Sequence, residues 1–287
     1  MLTFTKLGIH GRLGNQLYQY AALKAAALKH GYECKIPYLN EASWHGQNCI
    51  LEKFNIEAEY LNVKNYEDIQ NRIYINEPVP GVFVNCFDNL KDNTDICGFF
   101  QNTRYFSDYS EQIIKELTPK KNFLEKGKKT IDKLKGNKNI VSLHIRRGDQ
   151  TDGTNPIYNP FYGESPFDTN CLVGKLITQA LSFFPESNIL VFTGGSRTGD
   201  DTKDIEWAKK YFSDSKFIVS QTNDPMQDFT LMSLCDHNII TGPSTFSWWA
   251  AYINSNPDKL VVAPVDFHFD GKYNLREGFY PKNWNLI

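Results

Sequence analysis

The feature of this sequence that most constrains its fold is a regular alternation of short apolar runs with helix-patterned segments in the second half. The apolar runs predict five strands, at Ile140–Ile145, Ile189–Phe192, Lys216–Ser220, Asn238–Thr241 and Leu260–Ala263. The segments between them predict helices at Leu172–Phe184, Asp201–Phe212, Asp224–Cys235 and Thr245–Asn254. Fully apolar strands separated by helices are typical of a parallel sheet covered on both faces. The second half is therefore predicted to be an α/β domain.

Polar residues follow three of these predicted strands at the point where each strand ends. They are the stretches His144–Asp149, Thr193–Gly195 and Gly242–Thr245. Open parallel sheets bind ligands beyond the carboxyl ends of their strands. We therefore expect one binding site at this edge of the sheet.

The first half of the chain begins with the same pattern. A strand is predicted near Phe4–Ile9 and a helix at Leu17–Leu28, with the loop Gly11–Gln16 between them. Later strands are predicted at Cys34–Pro37 and Thr94–Phe100, and later helices at Tyr105–Leu117 and Phe123–Leu134. The Lys135–Asn139 stretch is the predicted linker, which divides the chain into domains 1–137 and 138–287. Because small-molecule sites favour clefts between domains, we expect the site to lie between the two halves.

Charge and composition exclude several classes of protein. The formal charge of −2 argues against a nucleic-acid binder, which normally presents a basic face, so any anion site is expected to be local. The N-terminus lacks the pattern of a signal peptide and the longest uncharged stretch is a poor membrane span. The 6 cysteines form no C-x-x-C pair, which indicates reduced thiols. We therefore expect a cytoplasmic protein without a membrane span.

The segment His144-Ile-Arg146-Arg147-Gly148-Asp149 has the residue types of a phosphate site. His144 and Arg146 point to one face of the predicted strand, and a guanidinium is a planar, permanently charged fork that suits a diphosphate. The alternative is a strand end in which Arg147 forms an ion pair with Asp149. We expect one arginine to act on the ligand and the other to be structural.

Two further loops have both a binding and a structural interpretation. Gly11-Arg-Leu-Gly14-Asn15-Gln16 lies between a predicted strand and helix, where it either approaches a ligand closely or simply packs the helix. In Gly242-Pro-Ser244-Thr245, the hydroxyls at a helix start either bind phosphate or cap the helix. Trp248 and Trp249, one turn later, are predicted to belong to the core.

The acidic residues of the second half could form a functional site or have only a structural role. Asp224, Asp228 and Asp236 lie on or beside one predicted helix and are either functional acids or solvated caps. The alternation Asp266-x-His268-x-Asp270 favours a surface strand over a metal site. The chain has no Asp-x-Asp, G-x-S-x-G or H-E-x-x-H motif, so the commonest metal and hydrolase signatures are missing. We expect no metal site.

In combination and in this order, three motifs resemble the signatures of the family 11 glycosyltransferases, the α-1,2-fucosyltransferases of bacteria and animals. They are Gly11–Gln16, His144–Asp149 and Ser244-Thr-Phe-Ser-Trp-Trp249. Asp95–Gln101 and Leu231–Asp236 are similar to the connecting segments of that family. The likeness covers nearly the whole chain.

The resemblance implies a GT-B-like α/β fold of two facing Rossmann-like domains with parallel sheets. It implies no metal and no cofactor, GDP-β-L-fucose as the donor substrate, and a galactose in an oligosaccharide or lipid-linked glycan as the acceptor. The domain of residues 1–137 would be the acceptor side and the domain of residues 138–287 would bind the donor. No nucleic-acid partner is implied, and the oligomeric state is left open.

Site residues carry over from the family motif position by position. His144, Arg146 and Arg147 would contact the nucleotide and its diphosphate, and Asp228 would bind guanine. Ser244 and Thr245 would be the hydroxyls on the phosphate side, and Gly14 and Asn15 would face the donor from the other domain. Arg146 and Asp149 are the catalytic candidates.

The chain departs from the family pattern beside these motifs. Gln150 replaces the usual Tyr, residues 151–170 are atypical, and the loop Thr193–Gly199 is long. A related transferase that uses another GDP-sugar or acceptor, and a non-catalytic sugar- or nucleotide-binding protein, are therefore the alternatives. For a general base that deprotonates the acceptor, Asp149, Asp152 and Glu164 all remain candidates.

Overall fold

The computed structural model of this protein describes residues 1–37, 43–44, 47–48, 50–61, 72–153 and 157–287. The described chain packs into two compact units. Unit 1 contains Met1–Lys120 and Asn274–Lys282, and unit 2 contains Lys121–Tyr273 and Asn283–Ile287. Each unit holds one parallel sheet of its own.

Unit 1 is built on a five-stranded parallel sheet in the order β5-β2-β1-β7-β6. Its elements are β1 (Leu2–Thr3), α1 (Leu13–His30), β2 (Cys34–Pro37), the antiparallel pair β3 (Ser43–Trp44) and β4 (Gln47–Asn48), β5 (Glu59–Leu61), β6 (Ile73–Asn76), β7 (Thr94–Cys97) and α2 (Ser110–Glu116). Helix α1 is buried along most of its length because its alanines let it lie close to the sheet.

Two predictions in this unit are wrong in their bounds. The segment Phe4–Ile9 is not a strand: the strand ends at Thr3, and the chain then folds back through turns, with Leu7 N donating to Phe4 O at 3.1 Å. Gly8 has a φ of 85°, which a continuing strand could not accept. The helix predicted at Tyr105–Leu117 begins only at Ser110, because the residues before it form two short 3₁₀ turns.

Unit 2 contains a six-stranded, wholly parallel sheet in the order β10-β9-β8-β11-β12-β13. Its elements are α3 (Lys121–Lys135), β8 (Ile140–Arg146), α4 (Gly148–Thr151), α5 (Leu172–Leu181), β9 (Asn188–Gly194), α6 (Thr202–Tyr211), β10 (Phe217–Val219), α7 (Pro225–Leu234), β11 (His237–Ile240), α8 (Thr245–Ile253), β12 (Val261–Ala263) and β13 (Asn285–Leu286). The predicted α/β class with parallel sheets is confirmed.

The core of unit 2 explains which side chains of β8 are free to serve a site. Val141, Leu143 and Ile145 are fully buried and pack with residues of α5, β9 and α6. Because side chains alternate along a strand, His144 and Arg146 point to the opposite face of the sheet, where His144 contacts Ser247 of α8.

The units divide the chain at a different place from the predicted linker. Helix α3 lies against α7 so closely that a Cβ on Gly127 would be 2.8 Å from Leu234 Cδ1, and α3 therefore packs with unit 2. Residues 274–282 pack with unit 1, where Asn102 Nδ2 donates to Glu277 O at 3.0 Å. The division thus falls after Lys120 and not after residue 137. The assignment of acceptor and donor roles to the two halves stays a prediction.

Candidate active site at the carboxyl edge of the unit 2 sheet

The carboxyl ends of β9, β8 and β11 lie side by side, because these three strands are neighbours in one parallel sheet. The three polar stretches that the sequence places after these strands therefore meet at one edge, as predicted. Arg146 is the last residue of β8 and pairs in register with Gly194 of β9. This edge is the candidate site.

His144 is buried and held by α8. Its Nδ1 lies 3.1 Å from Ser247 Oγ, and its ring lies 5.9 Å from the ring of Phe246. Burial lowers the pKa of His144 to about 4, so the imidazole is neutral at ordinary pH. A neutral ring with one nitrogen engaged by a hydroxyl can orient neighbouring groups but supplies no charge to the site.

Arg146 and Asp149 form a closely matched ion pair. Arg146 Nη2 donates to both carboxylate oxygens of Asp149, at 2.9 and 2.8 Å, and Arg146 Nε donates to Oδ1 at 3.1 Å. Only 18% of the Arg146 side chain and 11% of the Asp149 side chain are exposed. Gln150 Nε2 also donates to Asp149 Oδ1, at 3.2 Å. Asp149 thus fixes the guanidinium plane, while Arg146 Nη1 makes no hydrogen bond within the described residues.

Arg147 points elsewhere and has different partners. Its Nε donates to Asp204 Oδ1 at 3.1 Å, and its guanidinium lies 3.9 Å from the ring centroid of Trp207. The sequence alternative in which Arg147 pairs with Asp149 is therefore wrong. Asp149 forms its ion pair with Arg146 because the two residues are three positions apart across the start of α4, whereas the Arg147 side chain is turned toward α6.

Gly148 is required by the close approach of two strand ends. Its φ is +28°, and a Cβ at this position would lie 2.2 Å from the carbonyl carbon of Gly195 and 2.3 Å from Ser196 N. Its N–H donates to Asp204 Oδ2 at 2.8 Å. One carboxylate of α6 therefore holds both Arg147 and the backbone of the next residue.

Asp204 and Trp207 are residues whose role the sequence reasoning missed. The sequence shows Asp204 only as one of several acids early in a helix, which suits the helix dipole. Trp207 is also held in place, because its Nε1 donates to Glu164 O at 2.7 Å. No local pattern signals these contacts, since Arg147 and Asp204 are 57 positions apart in the sequence.

Asp228 lies in the first turn of α7 and is engaged on one side. Its Oδ1 accepts hydrogen bonds from Ser220 Oγ and Thr222 Oγ1, both at 2.7 Å, while its Oδ2 accepts none within the described residues. Burial raises the pKa of this carboxyl to about 6.

Asp224 is the helix cap, since its Oδ1 accepts from Met226 N at 2.9 Å. Asp236 lies past the end of α7 and accepts from Ile140 N, so its role is structural.

Ser244 precedes α8 but does not cap it through its side chain. Its hydroxyl is completely buried and has no hydrogen-bond partner in the part of the chain that the structure describes. The ordinary side-chain cap is therefore wrong for Ser244. Thr245 is the first residue of α8. An unpaired buried hydroxyl costs free energy, so Ser244 calls for a partner that the described residues do not supply. Trp248 and Trp249 are fully buried, as predicted.

Tyr162 is a second buried hydroxyl at this edge that the sequence did not single out. Its oxygen lacks a hydrogen-bond partner among the described residues. Burial raises the pKa of Tyr162, and the positive charges of Arg146 and Arg147 act against that rise. It belongs to the segment 151–170 that departs from the family pattern.

The other candidate bases occupy different settings. Asp152 is exposed. Glu164 is also exposed, accepts from Tyr211 OH at 3.1 Å and lies 3.6 Å from Lys210 Nζ. Among these, Asp149 is the acid that is both buried and paired with a guanidinium.

The glycine loop of unit 1 is fixed by amides of α1. Gln16 Nε2 donates to Gly11 O at 3.1 Å, and Asn15 Oδ1 accepts from Gln101 Nε2 at 2.8 Å. Gly11 has a φ of 85° and a Cβ there would overlap the Asn15 side chain. Gly14 is buried at the start of the helix. That Gly14 and Asn15 face the donor stays a prediction.

Within the described residues, no cluster of three or more His, Cys, Asp or Glu side chains is placed to hold a metal ion. The cysteines 34, 86, 97, 171 and 235 are free thiols, and Cys49 lies outside the described residues. The described helices include none with the length and apolarity needed to cross a membrane.

Comparison with known proteins identifies the family of this chain. Residues 2–287 match the profile of the family described as Glycosyl transferase family 11. The alpha-1,2-colitosyltransferase of Escherichia coli is 28% identical over 89% of this chain and 89% of its own length. The human galactoside alpha-(1,2)-fucosyltransferase 1 is 25% identical over 85% of this chain and 64% of its own length.

A solved structure shares the fold. The crystal structure of POFUT1 in complex with GDP covers 91% of this chain and 97% of its own, with a TM-score of 0.53 and 13% identity. The predicted GT-B-like fold class is thereby confirmed.

Proposed function

This chain belongs to glycosyltransferase family 11, and on that premise we propose that it transfers L-fucose from GDP-β-L-fucose to the 2-hydroxyl of a galactose in a glycan. The observation that carries the proposal is the gathering at one sheet edge of unit 2 of Arg146, Asp228 and the Ser244 hydroxyl, which has no partner among the described residues. These groups match two parts of a GDP-sugar, the diphosphate and the guanine base.

The diphosphate is the part that Arg146 and Ser244 suit. The Arg146 guanidinium is held in one plane by Asp149, and its Nη1 is not engaged by any residue that the structure describes. The Ser244 hydroxyl and the backbone N–H groups at the start of α8 supply neutral donors for phosphate oxygens. Thr245 adds a second hydroxyl at the same helix start, and His144 steadies α8 through Ser247. We propose these residues as the diphosphate site.

The guanine base is the part that Asp228 suits. A carboxylate with one free oxygen accepts the N–H donors on one edge of guanine, and an ionised acceptor makes a stronger bond than a neutral one. Ser220 and Thr222 hold the other oxygen and so fix the direction of Oδ2. Adenine does not present the same pair of donors, which would give the site its preference for guanine.

The proposed chemistry is an inverting displacement. The acceptor hydroxyl attacks the anomeric carbon on the face opposite GDP, the glycosidic bond to the diphosphate breaks, and the bonding electrons leave on the β-phosphate. The hydroxyl proton passes to a general base, for which Asp149, Asp152 and Glu164 are the candidates. Arg146 neutralises that growing charge, and a well-placed donor of this kind lowers the barrier by about 3–4 kcal/mol. Asp149 holds Arg146 in position. We propose that Arg147 acts indirectly, by fixing the turn through Asp204 and Trp207.

A direct assay tests the proposal. The protein is incubated with GDP-fucose and a set of β-galactosides, GDP release is measured, and the linkage in the product is determined by NMR. We expect GDP release that depends on the galactoside, an α-1,2-fucosyl product, and undiminished turnover with EDTA present. Arg146→Ala is the inactive control. Turnover that stops when divalent ions are chelated would contradict the role given to Arg146.

A second candidate uses the same site with another donor sugar. The similarity to an alpha-1,2-colitosyltransferase and the atypical segment 151–170 favour testing a GDP-sugar that carries colitose. Release of GDP from the colitose donor, with none from GDP-fucose, would support this candidate over the first. Tight GDP binding with no turnover on either donor and any acceptor would instead support a non-catalytic binding protein.

A further inference from the structure

Helix α3 and the loop after it concentrate positive charge on one surface of unit 2. Residues 121–138 carry seven lysines and two carboxylates, a formal charge of +5, in a chain whose formal charge is −2. The remainder of the chain is therefore seven units negative. Six of these lysines are exposed and are called here the lysine face: Lys121, Lys126, Lys128, Lys129, Lys133 and Lys138.

The packing of α3 does not account for the lysine face. The opposite side of the helix is buried through Gly127 and Ile131, and Gly127 lets α3 approach α7 to van der Waals contact. This contact leaves the lysines on a rigid helix directed to solvent. The apolar side of the helix is already covered, so any partner of the exposed side binds by charge.

The lysine face is also poorly neutralised by the protein itself. Lys128, Lys129, Lys133 and Lys138 have no carboxylate within 4.0 Å among the described residues, and Lys121 lies 3.7 Å from Glu125 in a pair that is mostly exposed to solvent. Exposed pairs of this kind contribute little. Lys129 and Lys133 are four apart on a helix, and like charges at that spacing repel. An external anion would relieve this repulsion.

We propose that the lysine face binds the anionic headgroups of a phospholipid surface. Clusters of this size on a helix are attracted to anionic lipid, at about a fivefold gain in partitioning for each lysine. The segment has no arginine, and its single aromatic residue, Phe123, is half-buried. It therefore lacks the guanidinium groups and the exposed aromatic rings that nucleic-acid binding uses. Its flexible lysine side chains carry ammonium groups that suit a surface of many phosphate headgroups.

The lysine face lies next to the helix that carries part of the proposed donor site. Lys126 Nζ donates to Gln227 Oε1 at 3.1 Å, and Gln227 is the neighbour of Asp228 in the first turn of α7. A surface bound by α3 therefore lies beside the helix that carries the proposed guanine acceptor. This step rests on the proposed function: a transferase held at a membrane would meet a lipid-linked glycan acceptor there.

Vesicle sedimentation of the full chain tests the proposal without donor or turnover. Vesicles of phosphatidylcholine mixed with phosphatidylglycerol are compared with vesicles of phosphatidylcholine alone, at low and high salt. We expect binding to the anionic vesicles only, and its loss at high salt. The triple variant Lys128→Glu, Lys129→Glu, Lys133→Glu should weaken partitioning by about 100-fold or more. Its GDP release with a soluble galactoside should equal that of the unaltered protein.

A matched variant controls for net charge. Lys91→Glu, Lys175→Glu, Lys209→Glu makes the same change at three exposed lysines outside α3 and should retain most of the vesicle binding. Equal loss in both variants, absence of binding to anionic vesicles, or tighter binding to single-stranded RNA than to the vesicles would overturn the proposal. Failure of GDP release with every donor would count against the proposed function and leave the vesicle result to be judged on its own.

Discussion

At the scale of single residues, the site depends on how two adjacent arginines divide their partners. Arg146 is paired with Asp149 at the end of β8, and Arg147 is paired with Asp204 and covers Trp207. The side chains of neighbouring residues at a strand end point in opposite directions, so one guanidinium can serve a ligand while the other anchors the turn. The two residues are therefore expected to respond differently to substitution.

Arg146→Ala should lower kcat by about 100- to 1,000-fold, because the charge that develops on the departing diphosphate would no longer be neutralised. Arg146→Lys should recover little, since an ammonium cannot keep two bonds to Asp149 and donate to phosphate in the same plane. Steady-state kinetics measure both variants. Near-normal turnover of Arg146→Ala would exclude the residue from the chemistry.

Arg147→Ala is the contrasting change at the neighbouring position. It leaves Asp204 largely buried without its cation, and breaking a buried pair in this way costs about 3 kcal/mol of stability. Chemical denaturation should show that loss, and the variant with GDP-sugar at saturation should retain far more kcat than Arg146→Ala. A variant of unchanged stability that has lost turnover would instead make Arg147 the ligand arginine.

Asp228 should give GDP binding a characteristic pH dependence. Its pKa in the folded protein is about 6, whereas the ordinary value is 3.8, so the carboxylate needed for guanine is lost as pH falls through about 6. His144, with a pKa of about 4, stays neutral over that range and does not contribute. Calorimetry between about pH 5 and about pH 8 should show GDP affinity rising with pH.

The matched variant Asp228→Asn should bind GDP about 10- to 100-fold more weakly at high pH and lose the part of the pH dependence that Asp228 contributes, keeping the part that comes from ionisation of the terminal phosphate of GDP, whose pKa is about 6. The same pKa shift has a consequence for folding. A carboxyl whose pKa is raised on folding binds more protons in the folded state, so its contribution to the free energy of unfolding falls as pH rises from about 4 to about 6. Asp228→Asn should remove that part of the pH dependence of stability. An unaltered pH profile of GDP affinity in the variant would remove Asp228 from the site.

At the scale of elements, the site is fixed by the turn between β8 and α4. Three contacts hold it: Arg147 N donates to Gly194 O, Gly148 N donates to Asp204 Oδ2, and Asp149 N donates to Gly195 O, at 3.1, 2.8 and 3.3 Å. The neighbouring loop is fixed in turn, because Asp201 Oδ1 accepts from Gly195 N and Ser196 N. The hydrogen bonds from β9 and α6 thus fix the turn and, with it, the orientation of Arg146.

Gly148→Ala tests this dependence. The added Cβ would meet the backbone of Gly195 and Ser196 at 2.2 to 2.5 Å, so the turn has to shift, at a cost of about 1–3 kcal/mol. We expect a lower midpoint of thermal unfolding together with weaker GDP binding. Gly153→Ala is the control: its φ is +84° but none of the described residues lies within 4 Å of the new Cβ, so it should cost about 1 kcal/mol and leave GDP affinity unchanged. Equal effects of the two changes on GDP affinity would contradict the account.

At the scale of the whole molecule, the packed units do not follow the order of the chain. Helix α3 precedes the predicted linker yet packs on α7, and residues 274–282 return to unit 1 before the chain ends in unit 2. A fragment of residues 138–287 would lack α3 and would expose Thr230 and Leu234, which α3 covers.

Fragments should report this division. Residues 121–287 should retain GDP binding, whereas residues 138–287 should be less stable by about 2 kcal/mol or more, since burial of one large apolar side chain alone contributes about that amount. Thermal unfolding and GDP calorimetry of the two fragments measure the difference. Equal stability of both fragments would place the boundary after residue 137, as the sequence suggests.

The sequence by itself determined the alternation of strands and helices in unit 2, the sheet edge at which the polar stretches meet, and the burial of Trp248 and Trp249. These features follow from hydrophobic periodicity and from local turn chemistry, which act over a few residues.

Only the tertiary structure decided that Asp149 pairs with Arg146, that Asp204 and Trp207 hold Arg147, and that α3 joins unit 2. The same holds for the Ser244 hydroxyl, which finds no partner within the described part of the chain. Each of these depends on which distant segment comes to lie beside a residue. Arg147 and Asp204 are 57 positions apart, and the free energy of such a contact depends on packing that no local pattern encodes.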